Sequence, residues 1–106
     1  GILPTWLAPV QVKILPISES HREYAEKVKQ ELEDNDIRVE LDERDEKIGY
    51  KIREATMQKV PYMLILGDKE IEANAVGVRS RKEGDLGQMK TNDFISKIHE
   101  ETKSFK

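Results

Sequence analysis

Hydrophobic and polar residues alternate along three short stretches of the chain, which predicts three half-buried strands. These stretches begin at Val10, Ile37 and Val76. A continuous apolar run at residues 62–66 lacks the alternation, and it predicts a central strand covered on both faces. A weaker alternation at residues 86–89 predicts a fifth strand.

Apolar residues at helical spacing predict three helices between and after these strands. The first is expected to begin at a capping box formed by Ser20 and Glu23. The second should end before Pro61, because proline disfavours helical backbone in the residue before it. A short helical turn is expected at residues 68–73. The buried positions are predicted to be Tyr24, Ala25, Val28 and Leu32 in the first helix, Ile48, Ile52 and Ala55 in the second, and Phe94, Ile95 and Ile98 in a last helix that begins at Thr91. The order β-α-β-α-β-β-β-α predicts an α/β sandwich with a mixed sheet.

Charged residues make up 37% of the 106-residue chain, and hydrophobic residues make up the same fraction. The two signs of charge are interspersed, which indicates a globular surface rather than a disordered chain. The length corresponds to one domain. The formal net charge of −3 argues against binding nucleic acid through an overall positive field. Any RNA-binding surface must therefore be a local patch, or part of a larger molecule.

Signals for secretion, membrane insertion or disulfide formation are not evident in the sequence. The chain has no cysteine, which excludes a disulfide framework and a thiolate metal site. The longest apolar run, at residues 62–66, is too short to span a bilayer. The first residues lack the charged start and long apolar centre of a signal peptide. We therefore expect a cytoplasmic protein.

Motifs that would carry catalysis are missing. The sequence contains no phosphate-binding, dinucleotide-binding, zinc-protease or serine-hydrolase motif. The histidines, His21 and His99, have no second ligand or base at a useful spacing, and both are expected to be exposed. Residues 40–47 mix acidic and basic side chains, which is typical of a solvated loop, and no carboxylate pair stands out as acid and base. We expect no catalytic site in this chain.

The strand predicted after Val76 carries a local cationic surface. If its valines face the core, Gly77, Arg79 and Arg81 share the opposite face. Two arginines beside a residue without a side chain would let a phosphate or a base approach closely. Arginine on an exposed strand is also common without such a ligand, so both interpretations stay open. The same holds for the basic residues of the second helix, which are Lys47, Lys51 and Arg53.

Several strings of residues are similar to one known family. They read PTWLAPVQ at 4–11, RDEKIGYKIRE at 44–54, VPYML at 60–64 and GDKE at 67–70, with Val76, Val78, Arg79 and Arg81 following in register. Together they resemble the C-terminal anticodon-binding domain of bacterial threonyl-tRNA synthetase, a class II aminoacyl-tRNA synthetase. The resemblance covers essentially the whole chain.

The resemblance implies a three-layer α/β domain with a five-stranded mixed β-sheet flanked by three α-helices. It places a junction from an upstream catalytic domain at residues 1–9 and the anticodon-binding domain at residues 10–106. The implied function is recognition of the anticodon loop of threonine tRNA, so that the separate catalytic domain can aminoacylate it. Ligase activity, ATP and zinc would belong to that parent enzyme, and this fragment is expected to hold no cofactor. The parent would be a homodimer, and the isolated domain a monomer.

The resemblance also implies five RNA-binding residues in this chain, namely Asp45, Lys47, Arg53, Glu70 and Arg79. Threonine anticodons share guanosine in the middle and uridine third. Guanine offers two adjacent N–H donors that a carboxylate can accept, so Glu70 is the candidate reader of the central base. Arg79 would donate to a base or stack on it.

Asp45, Lys47 and Arg53 are assigned by the same resemblance to the uridine and the nearby backbone. Many family members carry asparagine at position 45, where aspartate can accept but not donate a hydrogen bond. Arg81 is a secondary candidate for a phosphate contact.

Two other function classes remain open at this point. A protein-interaction or regulatory domain could use the same scaffold, because fold alone does not determine function. Such a docking domain should expose an apolar patch. A small enzyme of unknown type would need a nucleophile and base that the sequence does not offer. A messenger RNA that mimics the anticodon arm is a variant of the tRNA-binding hypothesis.

Overall fold

Five strands form one mixed sheet in the order β2-β1-β3-β4-β5, in a computed structural model that describes residues 5–103. β1 pairs in parallel with β2 and β3, whereas β4 pairs antiparallel with β3 and β5. The strands are β1 (Val12–Pro16), β2 (Val39–Leu41), β3 (Tyr62–Leu66), β4 (Ala75–Ser80) and β5 (Gly84–Lys90). The predicted five-stranded mixed sheet is confirmed, with the apolar run as a strand paired on both sides.

Four α-helices accompany the sheet. They are α1 (Arg22–Asp34), α2 (Ile48–Met57), α3 (Asp68–Ala73) and α4 (Thr91–Lys103). The three long helices were predicted as helices, and α3 is the short helical turn expected after Gly67. Two short 3-10 segments, Thr5–Leu7 and Glu19–His21, precede β1 and α1.

The two faces of the sheet bury different apolar clusters. The larger cluster lies on the face covered by α1 and α4, where the ring of Tyr62 meets Phe94 edge-on with centroids 5.3 Å apart. The smaller cluster lies on the other face, where α2 covers β1 and β3. Alternate residues of β1 and β3 therefore point into different clusters, as a period of two requires.

The start of α1 differs from the prediction. The helix begins at Arg22 rather than at a Ser20 cap, and the 3-10 turn before it has Ser18 as its N-cap. The backbone N–H of Ser18 donates to Nδ1 of His21 at 3.1 Å, so an imidazole satisfies the turn instead of the predicted glutamate. Nε2 of His21 lies 2.7 Å from Oδ1 of Asp68, which joins this turn to the start of α3.

Both predictions of exposed histidines are wrong. His21 is 6% exposed, because its ring is held between the Ser18 turn and Asp68. His99 is half-buried and its Nε2 donates to the carbonyl oxygen of Asn35 at 2.8 Å. Both rings make structural contacts within the domain.

Part of the predicted junction packs on the domain. Thr5 is buried and donates to Oε1 of Glu101 in α4. The guanidinium of Arg38 donates to the carbonyl oxygens of Trp6 and Ala8, both at 2.9 Å. Residues 1–4 of the predicted junction lie outside the described residues.

Candidate nucleic-acid interface

The sheet face that carries α2 is covered unevenly. The apolar side of α2 packs over β1 and β3. Gly77 and Arg79 of β4 lie on this same face, because they pair with Ile65 and Met63, and opposed residues share a face. In β5, Gln88 pairs with Gly77 and is exposed. The half of this face formed by β4 and β5 therefore presents polar groups to solvent.

The carboxylate of Glu70 lies over Gly77. Oε1 accepts a hydrogen bond from the backbone N–H of Gly67 at 2.8 Å, and Oε2 accepts one from the side-chain amide of Gln88 at 3.1 Å. A Cβ at position 77 would lie 3.4 Å from Oε2 of Glu70 and 2.9 Å from the carbonyl oxygen of Ile65. A carboxylate offers about four acceptor positions, so these two donors leave capacity for a ligand.

Arg79 lies two residues after Gly77 in β4, on the same face of the sheet. It lines a cavity of about 180 Å³ together with Thr56 of α2. Arg53 precedes Thr56 by three residues and so projects from the same side of α2. Arg81 lies beyond the end of β4, where its guanidinium donates to the carbonyl oxygen of Lys59 at 2.7 Å. Of the two arginines predicted to share one strand face, Arg79 lies in β4. Arg81 lies in the following turn and makes a structural contact.

The charged loop between β2 and α2 is held by Asp42 and Arg44. The buried carboxylate of Asp42 accepts from Nε and Nη2 of Arg44, at 2.9 and 2.7 Å. The same guanidinium pairs with Glu54 of α2 and lies 5.6 Å from the ring centre of Tyr50. The hydrogen bonds from Arg44 hold the pKa values of Asp42 and Glu54 below their ordinary range. The loop is therefore a fixed element, although most of its side chains are exposed.

Acid should weaken this loop. The pKa of Asp42 is lowered in the folded chain, so its contribution to stability is present above its unfolded pKa of about 4 and is lost as pH falls through the folded pKa. Asp42→Asn should cost about 1–2 kcal/mol at neutral pH and make the loss of stability below about pH 4 shallower. Urea unfolding across pH 2–7 measures both effects. If the unfolding free energy of the variant falls below about pH 4 as steeply as that of the parent, the assignment is contradicted.

Lys51 is buried at the carboxyl ends of β1 and β2. It is 3% exposed, and its Nζ donates to the carbonyl oxygens of Pro16 and Asp42 at 3.2 and 3.3 Å. This finding corrects the interpretation of Lys51 as part of a solvated basic face. Asp45 and Lys51 line the same cavity of about 290 Å³.

The structure sorts the five predicted RNA-binding residues into two groups. Glu70 and Arg79 lie on the open face around Gly77, and Arg53 is exposed on α2, the helix that covers the β1 and β3 part of that face. Asp45 and Lys47 are exposed in the loop that leads into α2, at the edge where β1 and β2 end. Exposed side chains at such an edge are accessible to a ligand.

Two features of this interface were not predicted from the sequence, namely the burial of Lys51 and the contact of Gln88 with Glu70. Lys51 lies four residues before Ala55 and three after Ile48. This spacing places it within the apolar stripe of α2 and indicates that it is buried. No local sequence pattern indicates a role for Gln88, because its contact with Glu70 depends on the pairing of β5 with β4.

Residues 11–101 match the family model described as the anticodon binding domain. The chain belongs to this family. The exposed face around Gly77 and the loop of Asp45 are thus features of an anticodon-binding domain.

The anticodon-binding domain is similar to parts of longer proteins. It is 64% identical over 101 residues to a threonine–tRNA ligase of Caldanaerobacter subterraneus, and 62% identical over 104 residues to one of Clostridium botulinum. These matches cover 95% and 98% of the chain but only 16% of each relative. The crystal structure of the RNA binding domain of threonyl-tRNA synthetase from Cryptosporidium parvum superposes with a TM-score of 0.90. It is 33% identical, with 95% of this chain and 26% of that one covered.

Within residues 5–103, none of the helices combines the length and apolar character needed to cross a bilayer. The same part of the anticodon-binding domain brings together no group of three or more carboxylate or imidazole side chains suited to a metal ion.

Proposed function

We propose that this chain is the anticodon-binding domain of a threonine–tRNA ligase and that it reads the anticodon loop of threonine tRNA. The observation that carries this proposal is the carboxylate of Glu70, fixed over Gly77 beside Arg79 on an exposed sheet face. Single-stranded loop bases can be splayed out and read on their Watson–Crick edges. A fixed carboxylate accepts the adjacent N–H donors of guanine, and adenine does not offer that pair.

The remaining predicted residues fit the same ligand. Arg79 supplies donors or a stacking surface at the cavity that it shares with α2, and Arg53 supplies them from the exposed side of α2. Asp45 and Lys47 are assigned to the neighbouring uridine and backbone, at the loop that Asp42 and Arg44 hold in place. This local patch accommodates RNA despite the net charge of −3.

The proposal includes the surroundings of the domain. The chain spans about a sixth of its curated relatives, as expected for one domain of a multidomain ligase. We place threonine activation, ATP and zinc in an upstream catalytic domain, through which the parent dimerises, and we place the enzyme in the cytoplasm.

The test is a titration of the domain with two anticodon stem-loops at low salt. One carries the threonine anticodon, and the other has adenosine in place of the central guanosine. Amide chemical shifts should change at Asp45, Lys47, Arg53, Glu70 and Arg79 with the first RNA and fade with the second. Equal shifts with both RNAs would indicate a contact driven by charge alone.

A single substitution makes the test sharper. Glu70→Gln should weaken binding of the guanosine loop by about 1–3 kcal/mol and leave the adenosine loop nearly unaffected, because one acceptor oxygen becomes a donor. Glu72→Gln is the matched control, since Glu72 is exposed on the same helix. Equal loss in the two variants would show that charge, not position, determines binding.

A further inference from the structure

Gln88 connects three elements of the open face. It lies in β5 opposite Gly77 of β4, and its Nε2 donates to Oε2 of Glu70 at 3.1 Å. Glu70 belongs to α3, 18 positions earlier in the chain. The contact crosses Gly77, where the missing side chain leaves room for the carboxylate.

The carboxylate of Glu70 is thereby held at both oxygens. The N–H of Gly67 holds Oε1 from the start of its own helix, and the amide of Gln88 holds Oε2 from another strand. The terminal torsion of a glutamate is broad, so a single donor leaves the carboxylate plane free to rotate. A second donor on the other oxygen fixes that plane.

The orientation of this plane matters for reading guanine. Two parallel hydrogen bonds require both acceptor oxygens in the plane of the donor edge. We propose that Gln88 is a specificity-determining residue for the central base and acts by fixing the carboxylate plane of Glu70. This inference rests on the proposed function, and it adds a residue that the resemblance did not supply.

The test compares three stem-loops that differ only in the central base, which is guanosine, inosine or adenosine. Inosine keeps the N1–H of guanine and lacks its amino group, so it reports on the second hydrogen bond. Gln88→Leu keeps the bulk of the side chain and removes the donor. We expect it to lower the preference for guanosine over inosine by about five- to tenfold, with adenosine binding within about twofold of the parent. Gln88→Glu should lower guanosine binding further, because two carboxylates would then be in contact.

Gln30→Leu is the control, since Gln30 of α1 makes the same kind of contact, at 2.9 Å to Asp34, on the opposite face of the sheet. Gln88 is exposed, so thermal unfolding should show all variants folded. An unchanged guanosine-to-inosine ratio in Gln88→Leu overturns the inference, and so does an equal loss for all three RNAs. A parent domain that binds guanosine and adenosine loops equally overturns the proposed function, and this result needs no variant.

Discussion

Replacing Gly77 by valine is expected to lower the free energy of unfolding by about 3 kcal/mol and to abolish selectivity for the central base. A Cβ at this position would lie 2.9 Å from the carbonyl oxygen of Ile65, which belongs to the neighbouring backbone and cannot move without disturbing the pairing of β3 and β4. The branched side chain would also displace the carboxylate of Glu70. Urea unfolding measures the first effect, and titration with guanosine and adenosine stem-loops measures the second.

Graded substitutions separate the two effects. Gly77→Ala adds the Cβ alone, which keeps the 2.9 Å approach to the carbonyl oxygen of Ile65 but meets Oε2 of Glu70 at 3.4 Å, an ordinary contact, so it should cost stability, less than valine does, while retaining most of the selectivity. Gly49→Ala is the control for stability, because a Cβ at position 49 of α2 meets nothing within 4 Å. It should stabilise the domain by about 0.5–1 kcal/mol through helix propensity. Parent-like stability and selectivity in Gly77→Val would show that space at this position is not required.

The faces of the strands could be predicted because alternation is a local property of the sequence, although β1 is buried on both faces rather than half-buried. Val12 and Ile14 alternate with Lys13, and alternation alone assigns them to one face. The boundary was less accurate, since β1 begins at Val12 rather than Val10. The side chain of Gln11 donates to the carbonyl oxygen of Thr5 and accepts from the N–H of Arg38, and no sequence pattern predicts these two contacts.

Buried polar residues were harder to predict, for a related reason. Asp42, Lys51 and His21 look like surface residues, yet each is at most 6% exposed. Lys51 meets the carbonyl of Pro16, 35 positions away, and His21 meets Asp68 across 47 positions. Strand order brings these partners together, and periodicity does not encode strand order. For the candidate interface, the resemblance supplied five residues, whereas the contact of Gln88 required the register of β4 and β5.

Replacing Lys51 by methionine is expected to cost about 2–4 kcal/mol of unfolding free energy, because two buried carbonyl oxygens lose their donor. The change keeps the length of the side chain and removes the donor, so the carbonyl oxygens of Pro16 and Asp42 lose their buried partner. The positive charge of Lys51 also helps to lower the pKa of the buried Asp42 carboxyl, and that support disappears. Urea unfolding at neutral pH measures the loss.

Lys47→Met is the control for Lys51→Met. It separates the structural role of Lys51 from the RNA contact proposed for Lys47 at the start of the same helix. Lys47 lies one turn before Lys51 and is exposed, so its replacement should change the unfolding free energy by less than about 0.5 kcal/mol. If Lys47 binds RNA as proposed, this variant should weaken anticodon-loop binding without unfolding the domain. Lys51→Met should weaken that binding only through the loop of residues 42–47, in step with lost stability. Parent-like stability of Lys51→Met would mean that water replaces its donor, and that Asp42 and Arg44 hold the loop alone.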